Sequence, residues 1–176
     1  LGQGMIMRRY RNTMDAPGEK RTGLDLQVRG LGGGRVKVRG VINSLMDLRG
    51  GGAVVGGRAV FLPQGRFELG GTVVVDTDQL GGLPDSLRAG FNRDPYGVVG
   101  IDVVYPLSSR SSVEIALYGG ISRTIEGGKG GIGLSGPGLR VKVKGLTLQG
   151  EYRWVEGQFI PGHFGALYEL TRATID

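Results

Sequence analysis

The most constraining feature of this chain is a pair of alternating segments between residues 139 and 155. Apolar residues at odd positions from Leu139 to Val143 alternate with Arg and Lys, and from Leu146 onward the apolar residues occupy even positions. A side-chain period of two indicates β-strands with one apolar and one charged face. Both strands keep the same apolar face if Lys144 and Gly145 form a two-residue turn. The sequence therefore predicts a tight β-hairpin with two unlike faces.

The same kind of alternation recurs along the chain. About ten segments have a strand pattern, and they lie near residues 4–10, 24–29, 35–39, 53–62, 66–75, 99–105, 113–122, 131–143, 146–155 and 165–174. The 36 glycines among 176 residues are interleaved with Val, Leu and Ile, which argues against a disordered glycine tract. No apolar run reaches the ~20 residues that a membrane-spanning helix needs. The sequence therefore predicts a single all-β domain over residues 1–176.

The predicted connections alternate between short and long. The short ones are residues 30–34, 63–65, 106–112 and 144–145, and the long ones are residues 11–21, 44–52, 76–96, 124–130 and 156–164. In an up-and-down meander, alternate connections lie at the same end, and outer-membrane barrels combine short turns at one end with longer loops at the other. We therefore predict an antiparallel, up-and-down transmembrane β-barrel of about ten strands. A soluble sheet with a solvated charged face is the alternative.

Several segments resemble those of bacterial outer-membrane β-barrel proteins of a porin-like, poorly characterised group. They are GMIMRRY (4–10), GLDL (23–26), GGRA (56–59), DTDQL (76–80), YG (96–97), IDVVYPL (101–107), EYR (151–153), FIPGHF (159–164) and YE (168–169). The resemblance covers most of the chain and implies an integral protein of the bacterial outer membrane, with lipid as its partner and no catalytic residues. Such barrels commonly end on an aromatic residue, whereas this chain ends at Asp176 and lacks an initial Met. We therefore expect a piece of a longer barrel.

If the apolar face meets lipid, the charged face must line the lumen. The lumen-facing candidates are Asp25, Arg29, Arg35, Lys37, Arg39, Arg66, Glu68, Asp102, Glu114, Arg140, Lys142, Glu151 and Arg153. Basic residues predominate among them, as they do in the whole chain with its net charge of +6. The sequence therefore predicts a net basic lumen, which is either a narrow pore or filled by side chains. A conducting lumen of this kind would weakly favour small anionic solutes.

The same hypothesis assigns a direction to each side chain of the 139–155 hairpin. We expect one set to face lipid, namely Val141, Val143, Leu146 and Leu148. The complementary set should point inward, namely Arg140, Lys142, Thr147 and Gln149.

The remaining motifs argue against an enzyme. Residues 127–130 lack the Ser or Thr and the following helix of a phosphate loop, and residues 76–87 place Leu where a Ca²⁺ loop needs ligands. His163, the one histidine, has no neighbouring ligands, so the sequence predicts no metal site. Since none of these motifs is complete, it also predicts no catalytic residue and no cofactor. The basic strands lack the interleaved aromatics that stack on nucleic-acid bases, so we expect no nucleic-acid partner. The alternative function is a soluble or surface-attached β-sheet protein that binds an anionic partner through a basic strand face.

Overall fold

The computed structural model of the protein describes residues 23–45, 48, 52–63, 67–80, 95–110, 113–125 and 130–159, with only the backbone of residues 109 and 110. These residues form one antiparallel sheet in which every strand pairs with its neighbours in sequence. The strands are β1 (Leu24–Gly30), β2 (Val36–Ile42), β3 (Val54–Phe61), β4 (Glu68–Asp76), β5 (Tyr96–Arg110), β6 (Val113–Ile125), β7 (Gly131–Val143) and β8 (Leu146–Gly157). A short helical turn, α1 (Leu31–Gly34), joins β1 to β2.

The all-β, antiparallel, up-and-down arrangement is thus confirmed for these eight strands. Two of the predicted strands, residues 4–10 and 165–174, lie outside the described residues. Within the described part, β1 and β8 each pair along one edge only, so these strands form an open sheet. The described helix, α1, has neither the length nor the apolar sequence to cross a membrane.

The hairpin at residues 139–155 forms as predicted. Val143 pairs with Leu146 across a two-residue turn, and both turn residues have positive φ, 43° at Lys144 and 90° at Gly145. A turn with two positive φ angles matches the right-handed twist of the adjoining strands, which explains why the chain reverses so tightly here. The predicted bulge at Pro137 is also present as a shift in register on that strand.

The β5–β6 connection differs from the prediction. The sequence pattern suggested a turn over residues 106–112, but β5 continues through Pro106 to Arg110 and β6 begins at Val113. A register shift between Pro106 and Ser108 accommodates the proline, which has no N–H to donate to the ladder. The connection is therefore two residues long and shorter than the connections on either side of it, residues 77–95 and 126–130.

The register sorts the side chains of the sheet onto two faces, because residues paired directly across strands share a face. We call one the apolar face. Its members include Leu24, Leu26 and Val28 on β1, Val38 on β2, Phe61 on β3, Leu69 and Val73 on β4, Val99, Ile101, Val103 and Tyr105 on β5, Leu117 and Ile121 on β6, Leu134, Leu139, Val141 and Val143 on β7, and Leu146, Leu148, Tyr152 and Trp154 on β8. The opposite side, which we call the polar face, carries most of the charged residues.

On the central strands the polar face is the covered one. On the apolar face Ile101, Leu146 and Leu148 are 59%, 61% and 61% exposed, whereas Val74 and Asp76 on the polar face are 2% and 0% exposed. The buried apolar cluster of the described residues also lies on the polar side, and it consists of Val54, Val74, Tyr96 and Val98. In β3 to β7 burial is therefore the reverse of the usual arrangement, in which the apolar face is packed and the charged face is wet. The edge strands β1 and β8 are exposed on both faces, apart from the half-buried Glu151.

Candidate functional site

Most of the charged residues singled out in the sequence lie together on the polar face. The register places there Asp25, Arg29, Lys37, Arg39, Glu68, Asp102, Glu114, Arg140, Lys142, Glu151 and Arg153. Arg35 lies in the β1–β2 turn, and Arg66 lies outside the described residues. In the hairpin, Arg140, Lys142, Thr147 and Gln149 share this face, while Val141, Val143, Leu146 and Leu148 share the apolar face.

The best-covered ion pair on this face joins β3 to β5. Arg58 Nη1 donates to Asp102 Oδ2 at 2.6 Å and Nη2 donates to Oδ1 at 2.7 Å. Arg58 Nη1 also donates to the Thr72 hydroxyl at 2.7 Å. The two charged side chains are only 17% and 15% exposed. A two-pronged, charge-assisted contact of this kind fixes the guanidinium in one orientation over β4.

Glycines make room for this pair. Gly70 and Gly120 lie directly opposite Asp102 on the two adjacent strands. A Cβ at Gly70 would lie 2.5 Å from both Arg58 Nη2 and Asp102 Oδ2, and a Cβ at Gly120 would lie 3.1 Å from the Asp102 Cβ. The ion pair therefore lies flat against the sheet in a hollow that only glycine leaves open.

Arg58 was missing from the sequence-based candidates. Residues 53–62 are apolar at both odd and even positions, so the alternation did not reveal which face Arg58 occupies. Only the pairing register, which local sequence patterns do not provide, places Arg58 directly between Arg39 and Thr72 on the neighbouring strands.

A second ion pair lies at the β1 edge. Arg39 Nε donates to Asp25 Oδ1 at 2.9 Å, and these side chains are 32% and 41% exposed. Arg39 and Arg58 are cross-strand neighbours, and like charges placed directly opposite destabilise a sheet. Each arginine is compensated by its own aspartate, so four side chains form a row across the sheet in the order Asp25, Arg39, Arg58, Asp102.

Further pairs cover the other half of the face. Lys142 Nζ lies 3.4 Å from Glu114 Oε2 between β7 and β6, and the Arg153 guanidinium contacts the Glu151 carboxylate on β8. The Tyr118 ring packs over Gly138, where a Cβ would lie 2.4 Å from the ring carbon Cζ. An aromatic ring over the opposing glycine fills the gap and helps to fix the β6–β7 register.

The long-loop end of the polar face is closed by apolar packing. Phe159, which follows β8, packs against the buried cluster on β3, β4 and β5. Its ring also occupies the space above Gly133 on β7, where any side chain would overlap it. One side chain from beyond β8 thus reaches both β7 and the cluster, which requires the sheet to curve toward its polar face.

Covered polar side chains at the same end accept hydrogen bonds from backbone N–H groups. Asn43 Oδ1 accepts from Val54 N at 2.7 Å, and Asp76 Oδ1 accepts from Asp78 N at 3.1 Å. The described residues include no group of three His, Cys, Asp or Glu placed to hold a metal ion. Chemically, the polar face offers paired charges and packed rings, which suit a structural interior or an electrostatic field for small ions.

Comparison of the chain with protein-family models, with curated proteins and with solved structures finds no match.

Proposed function

We propose that the protein is an integral β-barrel protein of the bacterial outer membrane. In this proposal the eight-stranded sheet forms part of the wall of a barrel. Its apolar face lies against lipid and its polar face is turned toward the interior. The observation that carries the proposal is the reversed burial of β3 to β7, in which exposed aliphatic side chains lie on one face and the Arg58–Asp102 pair lies on the covered one. A continuous exposed apolar surface on this scale marks a contact with lipid or another apolar partner.

The distribution of charge on the apolar face supports lipid as that contact. Among the residues whose side chains the structure describes, the charged ones that the register assigns to this face are Arg123 and Glu156. Both are within two positions of a strand end. On this face the described residues at the strand centres are uncharged. Charge is most costly at the middle of the bilayer and least costly near its surfaces, so this placement suits a membrane-spanning strand.

The interior chemistry favours a structural barrel over an open pore. Arg58 and Asp102 form a bridge over β4, and the Phe159 ring packs between β7 and the buried cluster. Both features fill space on the polar face, in line with the packed interior expected of a small barrel. If the barrel conducts, the net basic face favours small anions.

The sole tryptophan provides a direct test. Trp154 lies on the apolar face of β8 and is 44% exposed. In vesicles of lipids with brominated acyl chains, we expect its fluorescence to be quenched strongly, while iodide in the aqueous phase quenches it weakly.

The matched control moves the tryptophan to the opposite face of the same strand. In a Trp154→Phe, Gln149→Trp variant, bromine should quench weakly because the ring then faces the interior. If bromolipids leave Trp154 unquenched and iodide quenches it, the membrane proposal is wrong. The protein is then better described as a soluble or surface-attached sheet that binds an anionic partner.

A further inference from the structure

The four short connections of the sheet share a charge pattern. They are residues 31–35, 62–67, 111–112 and 144–145, and the up-and-down topology places them all at one end. None of them contains Asp or Glu. The connections at the opposite end, residues 43–53, 77–95 and 126–130, contain both signs. Charge is therefore distributed unevenly along the strand direction.

Two of the described short turns carry exposed cations. Arg35 ends the β1–β2 turn, and Lys144 forms the first half of the β7–β8 turn. We call Arg35 and Lys144 the basic rim.

The ion pairs of the described residues do not include the basic rim. They join Arg39 to Asp25, Arg58 to Asp102, Lys142 to Glu114 and Arg153 to Glu151. The carboxylate nearest along β1, Asp25, is thus bound by Arg39. Exposed cations without a carboxylate partner attract anions from outside the sheet.

Apolar side chains continue to the same level as these cations. Leu31 in the first turn is 48% exposed, and Leu146, which follows the last turn, is 61% exposed. Under the proposed function, such residues mark where the hydrocarbon layer ends. Arg and Lys side chains extend from that level into the headgroup layer while their methylene stems remain against apolar surface.

We propose that the basic rim binds the phosphate headgroups of anionic phospholipids in the leaflet that meets the short turns. This inference rests on the proposed function, because it requires the sheet to span the bilayer. Turn cations near an anionic membrane surface attract its lipids at short range, and salt weakens the attraction.

Lipid selectivity at the rim can be measured with a relocated tryptophan. In a Trp154→Phe, Leu31→Trp background, the full chain is reconstituted in vesicles of equal parts phosphatidylglycerol and phosphatidylcholine, with one of the two brominated at a time. We expect brominated phosphatidylglycerol to quench more strongly. In Arg35→Gln, Lys144→Gln the preference should fall by up to about fivefold for each cation removed.

Two further variants separate the rim from general charge. Arg35→Lys, Lys144→Arg keeps both charges and should keep the preference. Arg123→Gln, Arg153→Gln removes the same charge elsewhere in the sheet and should also keep it. Loss of the preference in this second variant would assign the effect to net charge and overturn the rim proposal.

The failures of the two proposals differ. Equal quenching by both brominated lipids overturns the lipid-binding rim but leaves the membrane-spanning sheet intact. If neither brominated lipid quenches the relocated tryptophan of the Leu31→Trp background or Trp154 of the natural sequence, both proposals are overturned.

Discussion

Arg58 and Asp102 meet across an intervening strand, with Arg58 Nη1 2.6 Å from Asp102 Oδ2. The two residues are 44 positions apart in the chain and two strands apart in the sheet. The contact is made over Gly70, where the absence of a side chain lets both groups lie against the backbone. This ion pair therefore links β3 directly to β5, in addition to the backbone hydrogen bonds that each of these two strands forms with β4.

Gly70→Ala is expected to destabilise the sheet, because the new methyl group would lie 2.5 Å from both Arg58 Nη2 and Asp102 Oδ2. The ion pair must then shift or separate, at a cost of about 1–3 kcal/mol. Denaturant unfolding of the reconstituted protein measures the change. Gly71→Ala is the matched control, since a Cβ there meets nothing within 4 Å. Equal effects at both positions would contradict this account of Gly70.

Asp102→Asn is expected to be more costly than Asp25→Asn. Arg58 is 17% exposed and would be left without its counter-charge, which costs about 3–5 kcal/mol when a covered pair is broken. The Arg39–Asp25 pair is 32% and 41% exposed, so its loss should cost about 0–1 kcal/mol. Unfolding free energies of the two variants test this order. Similar losses of unfolding free energy in the two variants would show that the burial of Arg58 does not raise the cost of removing its counter-charge.

The sequence predicted the strands and faces of this sheet better than it predicted individual contacts. The hairpin at Lys144 and Gly145 was predictable because a period of two and a glycine turn are local properties of the chain. The β5–β6 turn was placed too early, because Pro106 normally interrupts a ladder and here occupies a register shift. Local patterns cannot show whether such a shift absorbs a proline.

The contacts of the polar face depend on register between distant segments. The sequence pattern placed Asp102 on the polar face. It did not place its partner Arg58 there, because β3 carries apolar residues at both odd and even positions. The packing of Phe159 above Gly133 depends on sheet curvature, and no local pattern encodes it. Pairing partners and curvature are properties of the whole sheet, whereas alternation belongs to each strand alone.

Tyr152→Arg is expected to impair membrane assembly, whereas Gln149→Arg is expected to be tolerated. Tyr152 lies on the apolar face near the middle of β8 and is 60% exposed, so an arginine there would face lipid at a cost of about 2–4 kcal/mol near the bilayer centre. Gln149 lies on the polar face of the same strand. Folding yield into vesicles, followed by protease protection, measures both. In a soluble sheet both changes would be nearly neutral, within about 0.5 kcal/mol.

Phe159→Ala is expected to increase ion conductance in planar bilayers. The Phe159 ring packs against the buried cluster and fills the space above Gly133, so its removal opens room at the long-loop end of the polar face. Phe61→Ala is the control, because Phe61 lies on the apolar face and is 43% exposed. An equal increase from both variants would indicate general loosening of the sheet and would contradict closure by Phe159.

In any variant that conducts, removing a positive charge from the polar face should change the ion selectivity, whether or not an aspartate holds that charge. Lys37 faces Arg29 on one side and Val60 on the other, so Lys37→Gln removes positive field and should move the reversal potential toward cations. Arg39→Gln should do the same, because it exposes the charge of Asp25. The double change Asp25→Asn, Arg39→Gln removes one charge of each sign and should leave the reversal potential unchanged. Reversal potentials in a salt gradient measure all three, and a cation-selective protein before any of these changes would contradict the net basic interior.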